Sequence, residues 1–308
     1  MRRLIVSVIG FAATLTGLLP AICRRELFRI AARSIGVKYA VFEGKQGKLE
    51  APVYDRVIWP LYLSQGGLDT GTCDFLRQLF RSGSGTLIDV GANLGVVCIP
   101  AKQSVPGIDV YAVEPDPDNF ECLRMNVFRA GFSDIVLFQR AAYRRECVLN
   151  FECSSENSGD HRIRSNQAGS GGELYNESSR PVVQVQASPL DSLIPLSGLK
   201  RPVIITCDVQ GAETDALAGA TQLLNLADVV IIEFWPYGLK RAGANLDELL
   251  SMISSFPYGS RFDAMDKTSI HLVPIRELTE QLRQFYYAKE TGISHYDLVL
   301  SKESLSLT

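Results

Sequence analysis

Several short stretches of the chain place polar side chains where apolar runs end, and these are the residues able to do chemistry. The run Leu87-Ile88-Asp89-Val90-Gly91-Ala92-Asn93-Leu94-Gly95-Val96 passes from an apolar strand through a glycine-bearing turn into a helix. Such a turn lets a ligand approach the backbone closely, although the same glycines also suit an ordinary tight turn. About twenty residues later the run Asp109 to Val113 ends in Glu114, and an acid at that distance can accept both hydroxyls of a ribose. Read alone, Glu114 is equally a solvated acid at the start of a helix near Asp116. The cluster Asp208-Val209-Gln210-Gly211-Ala212-Glu213 follows the apolar run Val203 to Cys207 and opens another helix. There Asp208 and Gln210 would border a reacting centre, where a carboxylate can steady a cation or orient a nucleophile. Asp208 as a simple cap of the helix containing Glu213 explains the same residues. A further acid, Glu233, ends the run Val229 to Ile232 and precedes Phe234 and Trp235, aromatics that suit either a pocket wall or a core. In the polar run Asn157 to Arg162, His161 stands between an acid and a base. An imidazole there can recognise an acceptor or remove a proton, or it can be a bystander in a loop.

These clusters converge only if the runs before them lie side by side. From Thr86 onward, short Val- and Ile-rich runs alternate with longer amphipathic segments, the rhythm of βαβ units around a mostly parallel sheet. The pattern predicts strands over 86–90, 110–113, 135–138, 203–208, 229–234 and 297–300, and helices over 96–104, 117–130, 213–226, 246–255 and 275–287. The expected architecture is an α/β, Rossmann-like domain over residues 85–303, preceded by a cap over 35–84 with a short helix from Cys73 to Phe80. A Gly-, Ser- and Asn-rich insert, 153–180, is too long for an ordinary connection and is expected to be a functional loop or a lid. Open sheets of this kind bind ligands beyond the carboxyl ends of adjacent strands, so Gly91, Glu114 and Asp208 are expected to share one crevice.

The turn excludes one ligand class and suits another. A dinucleotide fingerprint wants glycine at places that here hold Gly91, Asn93 and Val96. The side chains of Asn93 and Val96 would crowd a pyrophosphate, which disfavours an NAD(P)-dependent oxidoreductase. S-adenosylmethionine has no phosphate to seat, only an amino-acid tail, a sulfonium and an adenosine, and the looser spacing serves it. The competing reading is a non-catalytic, membrane-recruited binding module that keeps the pocket without the reaction. A formal net charge of -3 over 308 residues, without a basic stripe, argues against nucleic acid as a partner. The seven cysteines contain no Cys-x-x-Cys pair and only three histidines accompany them. Free thiols in a reducing, cytoplasmic setting are therefore expected, and no metal site.

Residues 1–34 form a segment of their own. Arg2-Arg3 and Arg24-Arg25 bracket an uncharged stretch, Leu4 to Cys23, diluted by Gly10, Gly17 and Pro20. Its length suits a spanning helix of roughly 20 residues. Arg24, Arg25, Arg29 and Arg33 continue it as a basic helix suited to an anionic leaflet at the inner face of a membrane. A helix packed on the domain is the alternative.

Together these residues resemble the FkbM family of methyltransferases. The match lies in the turn Asp89 to Gly95, the pair Glu114-Pro115 and the run Asp208 to Glu213, with support from Asn157 to Arg162 and Leu190-Asp191. The resemblance implies a mostly parallel sheet with its last strand antiparallel, S-adenosylmethionine as methyl donor, and O-methylation of a hydroxyl on a sugar, glycan or natural product. It implies donor contacts from Asp89, Gly91, Asn93 and Gly95 to the methionine part, from Glu114 to the ribose, and from Arg140 and Ala141 near the adenine. Asp208, Gln210 and Glu213 would then fall at the reaction end. Gln210 departs from the family pattern, which often carries Glu there. Deleting residues 1–34 is expected to abolish partition of the chain into anionic vesicles, measured by co-flotation; unchanged partition would remove the membrane role.

Overall fold

Apolar runs without a polar face need cover on both sides, and the sheet built from them has it. The computed structural model describes residues 21–65, 67–164, 177–262, 270–288 and 294–304. Residues 1–20, with most of the apolar N-terminal stretch, and 165–176 of the insert lie outside the described residues. A hairpin of β1 (Tyr39–Gly44) and β2 (Gly47–Pro52) precedes the core strands β3 (Gly85–Val90), β4 (Ile108–Val113) and β5 (Ile135–Phe138). Then come β6 (Ala141–Ala142), β7 (Cys147–Glu152), β8 (Arg162–Ile163) and β9 (Val182–Ser188). The core resumes with β10 (Val203–Cys207), β11 (Val229–Phe234), β12 (Tyr258–Phe262), the short β13 (Val273–Pro274) and β14 (Tyr296–Ser301).

Among the described residues the main sheet runs β13-β12-β14-β11-β10-β3-β4-β5. The strands β5, β4, β3, β10 and β11 are parallel, and β14 is antiparallel to both its neighbours, as expected of the last strand. Alternate side chains feed two cores. Leu87, Val110, Ile204 and Ile231 pack with Leu76, Ile99 and Leu123, whereas Ile88, Ile205, Val230 and Ile232 pack with Leu217, Leu223, Leu249 and Leu282. Each such burial contributes about 1.5–3 kcal/mol. The chain leaves β3 toward β4 on one side, and β10 later pairs on the other, so the strand order reverses there and leaves a crevice at the carboxyl ends.

Several elements differ from the sequence pattern. The segment Tyr258–Phe262 lacks aliphatic alternation and becomes a strand through its pairing with β14. The helix expected over 213–226 is two, Glu213–Ala218 and Thr221–Leu226. A Cβ at Gly219 would lie 2.1 Å from the Tyr143 carbonyl oxygen, so the chain passes close to that backbone where the helix breaks. Pro236–Ala242 is a further helix, with proline in a first turn that needs no N–H. The flanks of the insert, Val148 to Phe151 and Val182 to Val185, are paired antiparallel in a second sheet of order β6-β9-β7-β8.

The cap is the β1–β2 hairpin with helices Ile58–Gln65 and Thr70–Leu79, the latter starting earlier than expected. The N-terminal helix, described over Ala21–Ser34, lies on it. Phe28 meets Phe42 and Trp59 edge-on at 6.1 and 5.9 Å, and Phe42 stacks on Trp59 at 4.5 Å. Arg29, expected to face a leaflet, is instead buried and paired with Glu26, because this face of the helix is turned to the protein. No helix among the described residues is long and apolar enough to cross a membrane.

The junction of β3 and β10 tolerates no side chain at Gly91, where φ is +83° and a Cβ would lie 1.8 Å from the Asp208 carbonyl oxygen. Gly91→Ala is expected to lower the unfolding free energy by about 2–4 kcal/mol, read from the urea midpoint. Gly131→Ala, at φ +81° with nothing within 4 Å of its Cβ, should cost only about 1 kcal/mol. Equal losses would show that the close approach is not what Gly91 serves.

Candidate active site

The carboxyl ends of β3, β4, β10 and β11 open into one cleft of about 860 Å³, lined among others by Gly91, Asn93, Glu114, Arg140, Asp208 and Glu233. That volume suits a small-molecule site. Its roof comes from the insert, Ser154 to His161, and one wall from the cap through Ile58, Leu61 and Asp69.

The turn after β3 is held from beneath. Asp89 is buried, and its carboxylate accepts the Cys98 N–H at 3.1 Å and the Thr206 hydroxyl at 2.8 Å, tying the next helix and β10 to β3. Gly91 and Ala92 donate their N–H groups to the Val113 carbonyl at 2.9 and 3.0 Å, which presses the turn against the end of β4. Asn93 sits in the left-handed region at φ +51°. Its N–H donates to Glu114 Oε2 at 2.9 Å, while the Asp116 N–H donates to Oε1 at 2.8 Å. Burial, then the nearby negative charge of Asp116, pushes the Glu114 carboxyl up to about 8. Arg140 and Ala141 line the wall beyond it. Gly95 does not line the cleft among the described residues. A Cβ there would meet Ile99 Cδ1 at 2.6 Å and Leu123 Cδ1 at 2.9 Å, so this glycine serves helix packing, contrary to the expected ligand contact.

At the other end of the cleft, β10 and β11 deliver a cluster of acids. Gln210, at φ +56°, donates through Nε2 to Asp208 Oδ1 at 2.7 Å and to Glu233 Oε2 at 3.2 Å, bridging them. Asp208 faces the open cleft, and its carboxyl is raised by scarce hydration at the cleft floor. Glu233 is pushed well up by burial and by the charges of Asp208 and Glu213. Glu213, expected at the reaction end, is fully buried and does not line the cleft. Its Oε1 accepts the N–H groups of Val209 and Gly211, both at 3.1 Å, so it shapes the loop carrying Asp208 and Gln210.

His161 is brought to the cleft but is held by the protein. Its ring is buried, with Nε2 3.2 Å from the Ser154 carbonyl and 3.3 Å from the Tyr54 hydroxyl, and Nδ1 3.4 Å from Asp116 Oδ2. Burial opposes its protonation, but the Asp116 contact outweighs that and raises its pKa. The same loop is clamped at Ser158, whose N–H donates to Asp55 Oδ2 at 2.6 Å and whose carbonyl accepts Asn119 Nδ2 at 2.8 Å and Asn93 Nδ2 at 3.5 Å.

Sequence reasoning missed Asp69, Asp55, Asn119, Thr206 and Tyr54. Asp69 lines the cleft in the left-handed region at φ +47°, makes no side-chain cap bond, and is raised to about 6 by burial and by Asp208 and Asp89. Its position before the helix Thr70–Leu79 was a readable signal; its convergence on the β3 turn was not.

A sheet of this order, with a glycine turn at its reversal point and an acid ending the neighbouring strand, is the class I methyltransferase fold. The chain belongs to the methyltransferase FkbM domain family, which it matches over residues 89–262, more than half of its length. Among curated relatives, the hexuronic acid methyltransferase AglP of Haloferax volcanii is 24% identical over 210 residues, covering 67% of this chain and 78% of that protein. The 2-O-methyltransferase NoeI of Sinorhizobium fredii is 26% identical over 184 residues, covering 57% and 74%. A solved FkbM methyltransferase from Methylobacillus flagellatus aligns with 18% identity and a TM-score of 0.40, over 64% of this chain and 47% of that one.

Glu114 makes a pH prediction. Its pKa is raised in the folded chain from 4.5 to about 8, so the protonated form is favoured on folding. Its contribution to stability is whole below the lower value and fades as pH rises to the upper one. Melting temperature should therefore decline less steeply across that window in Glu114→Gln than in the unaltered chain; parallel curves would place the titration elsewhere.

Proposed function

We propose that the cleft seats S-adenosylmethionine and that the chain transfers its methyl group to a hydroxyl oxygen of a sugar, glycan or similar small molecule. The observation carrying this reading is the union of the Gly91 turn and Glu114 in one cleft, joined by the bond from the Asn93 N–H to Glu114 at 2.9 Å. The relatives named for hexuronic acid and 2-O methylation support the acceptor class.

The residues present fit this donor. Asn93 Oδ1 is buried without a hydrogen-bond partner, a costly state that the ammonium of an amino-acid tail would relieve. Asp69 and Asp208 add negative charge to the same cleft, which favours a cationic ligand. Each oxygen of Glu114 accepts one N–H, which leaves the carboxyl group further hydrogen-bonding capacity for two ribose hydroxyls. Arg140 and Ala141 border the adenine end. Asn93 and Val96 line the cleft where a pyrophosphate would need space, which disfavours a dinucleotide.

When bound, the sulfonium supplies a methyl carbon already activated for displacement and departs with the C–S electron pair as a neutral sulfide. The cleft's part is to hold the acceptor oxygen in line, a positioning effect, and to take its proton. Asp208 is the group we assign to that proton, with Gln210 fixing its carboxylate and holding Glu233 beside it. Glu213 holds the loop that presents them. His161, with both ring nitrogens facing protein atoms, serves the roof and not proton removal.

The test uses methyl-labelled donor with oligosaccharides containing hexuronic acids. Label should appear as a base-stable ether, and Asp208→Asn should lower kcat about 100-fold or more while donor affinity by calorimetry stays nearly constant. Donor binding without a labelled acceptor would leave a binding module instead, and an unimpaired Asp208→Asn variant would take the proton from this residue.

A further inference from the structure

Beside the donor cleft, on the other side of His161, lies a second cavity of about 620 Å³ whose lining includes Tyr54, Asp116, Cys153 and His161. Asp116, Cys153 and His161 each bring one metal-capable atom within 4.8 Å of the others. Asp116 Oδ2 is 3.4 Å from Cys153 Sγ and 3.4 Å from His161 Nδ1. Ligand atoms on a tetrahedral zinc ion, at about 2.0–2.3 Å from the metal, lie roughly 3.3–3.6 Å apart.

The imidazole gives an independent reason. The Ser154 carbonyl can only accept, so the nearer contact of Nε2, at 3.2 Å, places a proton on that nitrogen. In the neutral ring Nδ1 then carries a lone pair, and this atom is buried without a hydrogen-bond partner. It faces a carboxylate oxygen, another acceptor. Two acceptors at this separation repel unless a cation or a proton lies between them. Each donor is also fixed from behind. Asp116 is held because its other oxygen caps the helix Pro117–Arg129, His161 by Ser154, and Cys153 by donating its N–H to the Pro181 carbonyl at 2.9 Å.

The geometry points to a zinc site formed by Cys153, Asp116 and His161, its fourth position open to the second cavity. A nitrogen, a sulfur and an oxygen are a donor set that zinc accepts. Binding replaces the thiol proton, which leaves to solvent, so one thiolate and one carboxylate balance the charge of the ion. The spacing carries no zinc signature because the ligands come from a helix cap and from two places in the insert, Cys153 just after β7 and His161. The ion would fasten the insert to the first turn of the helix after Glu114 and so hold the roof over the donor cleft. The site does not depend on the transfer reaction proposed above.

The test begins with the full chain stripped by chelator and titrated with cobalt as a spectroscopic stand-in. A thiolate-to-cobalt charge-transfer band with intense tetrahedral d–d bands is expected, abolished by one equivalent of zinc. Cys153→Ser should remove the charge-transfer band, and Cys153→Ser and His161→Gln should each weaken zinc binding by about 100-fold or more, while Cys147→Ser changes neither. A wild-type chain without the charge-transfer band overturns the proposal and leaves an imidazolium paired with Asp116. A band that survives Cys153→Ser also overturns it, since another thiol then holds the metal.

Discussion

Glu114 joins two backbone turns while lying almost wholly out of water. One oxygen accepts the N–H of Asn93 from the turn after β3, and the other accepts that of Asp116 at the head of the next helix. Buried backbone donors left unpaired would cost about 1–3 kcal/mol each, and this one carboxyl group satisfies two of them. Its raised pKa follows from the same burial. The floor of the cleft depends on this joint, because Asn93 and the cap at Asp116 are both bonded to it.

Around that joint the cleft is acidic. Asp69, Asp89, Asp208 and Glu233 line it together, with Arg140 and Arg180 among the cations. Burial is the main cause that raises the pKa of each of these four carboxyls, and a cationic ligand would favour their charged forms. Gln210 moderates the repulsion locally by donating to both Asp208 and Glu233. A glutamate at that place would add a third acid to the pair, so the departure from the family pattern has a physical consequence: a less negative end of the cleft around Asp208.

The roof is built by buried charges where the walls use apolar packing. Arg162, fully buried, contacts Glu152, Asp160 and Glu177, and Arg180 and Arg241 join the same network. Such networks contribute little net stability against an apolar alternative but penalise any arrangement that separates their members. They suit an insert whose β7–β9 pairing must be kept in one register over the cleft. Asp55 reaches it from the cap by holding Ser158, whose carbonyl also accepts Asn93 Nδ2, so cap and insert meet at the turn after β3.

The sequence alone determined the sheet and the turn, because both are local. Short Val- and Ile-rich runs alternating with amphipathic segments favour strands, and Gly91 permits a left-handed backbone position that other residues adopt under strain. The parallel core was legible for that reason, the shared crevice of Gly91, Glu114 and Asp208 followed from where such sheets bind ligands, and the antiparallel last strand came only from the family resemblance. What a side chain does at its position was not. Gly95 and Glu213 lie in the right motifs, but Gly95 packs a helix and Glu213 shapes a loop, while Asp89 lines the cleft and also ties β3 to β10. Only the tertiary structure placed Asp69 in the cleft and set His161 against Asp116 and Cys153. Asp69 and Asp116 are far in the chain from the residues they meet, and those contacts exist only once the sheet has ordered its strands.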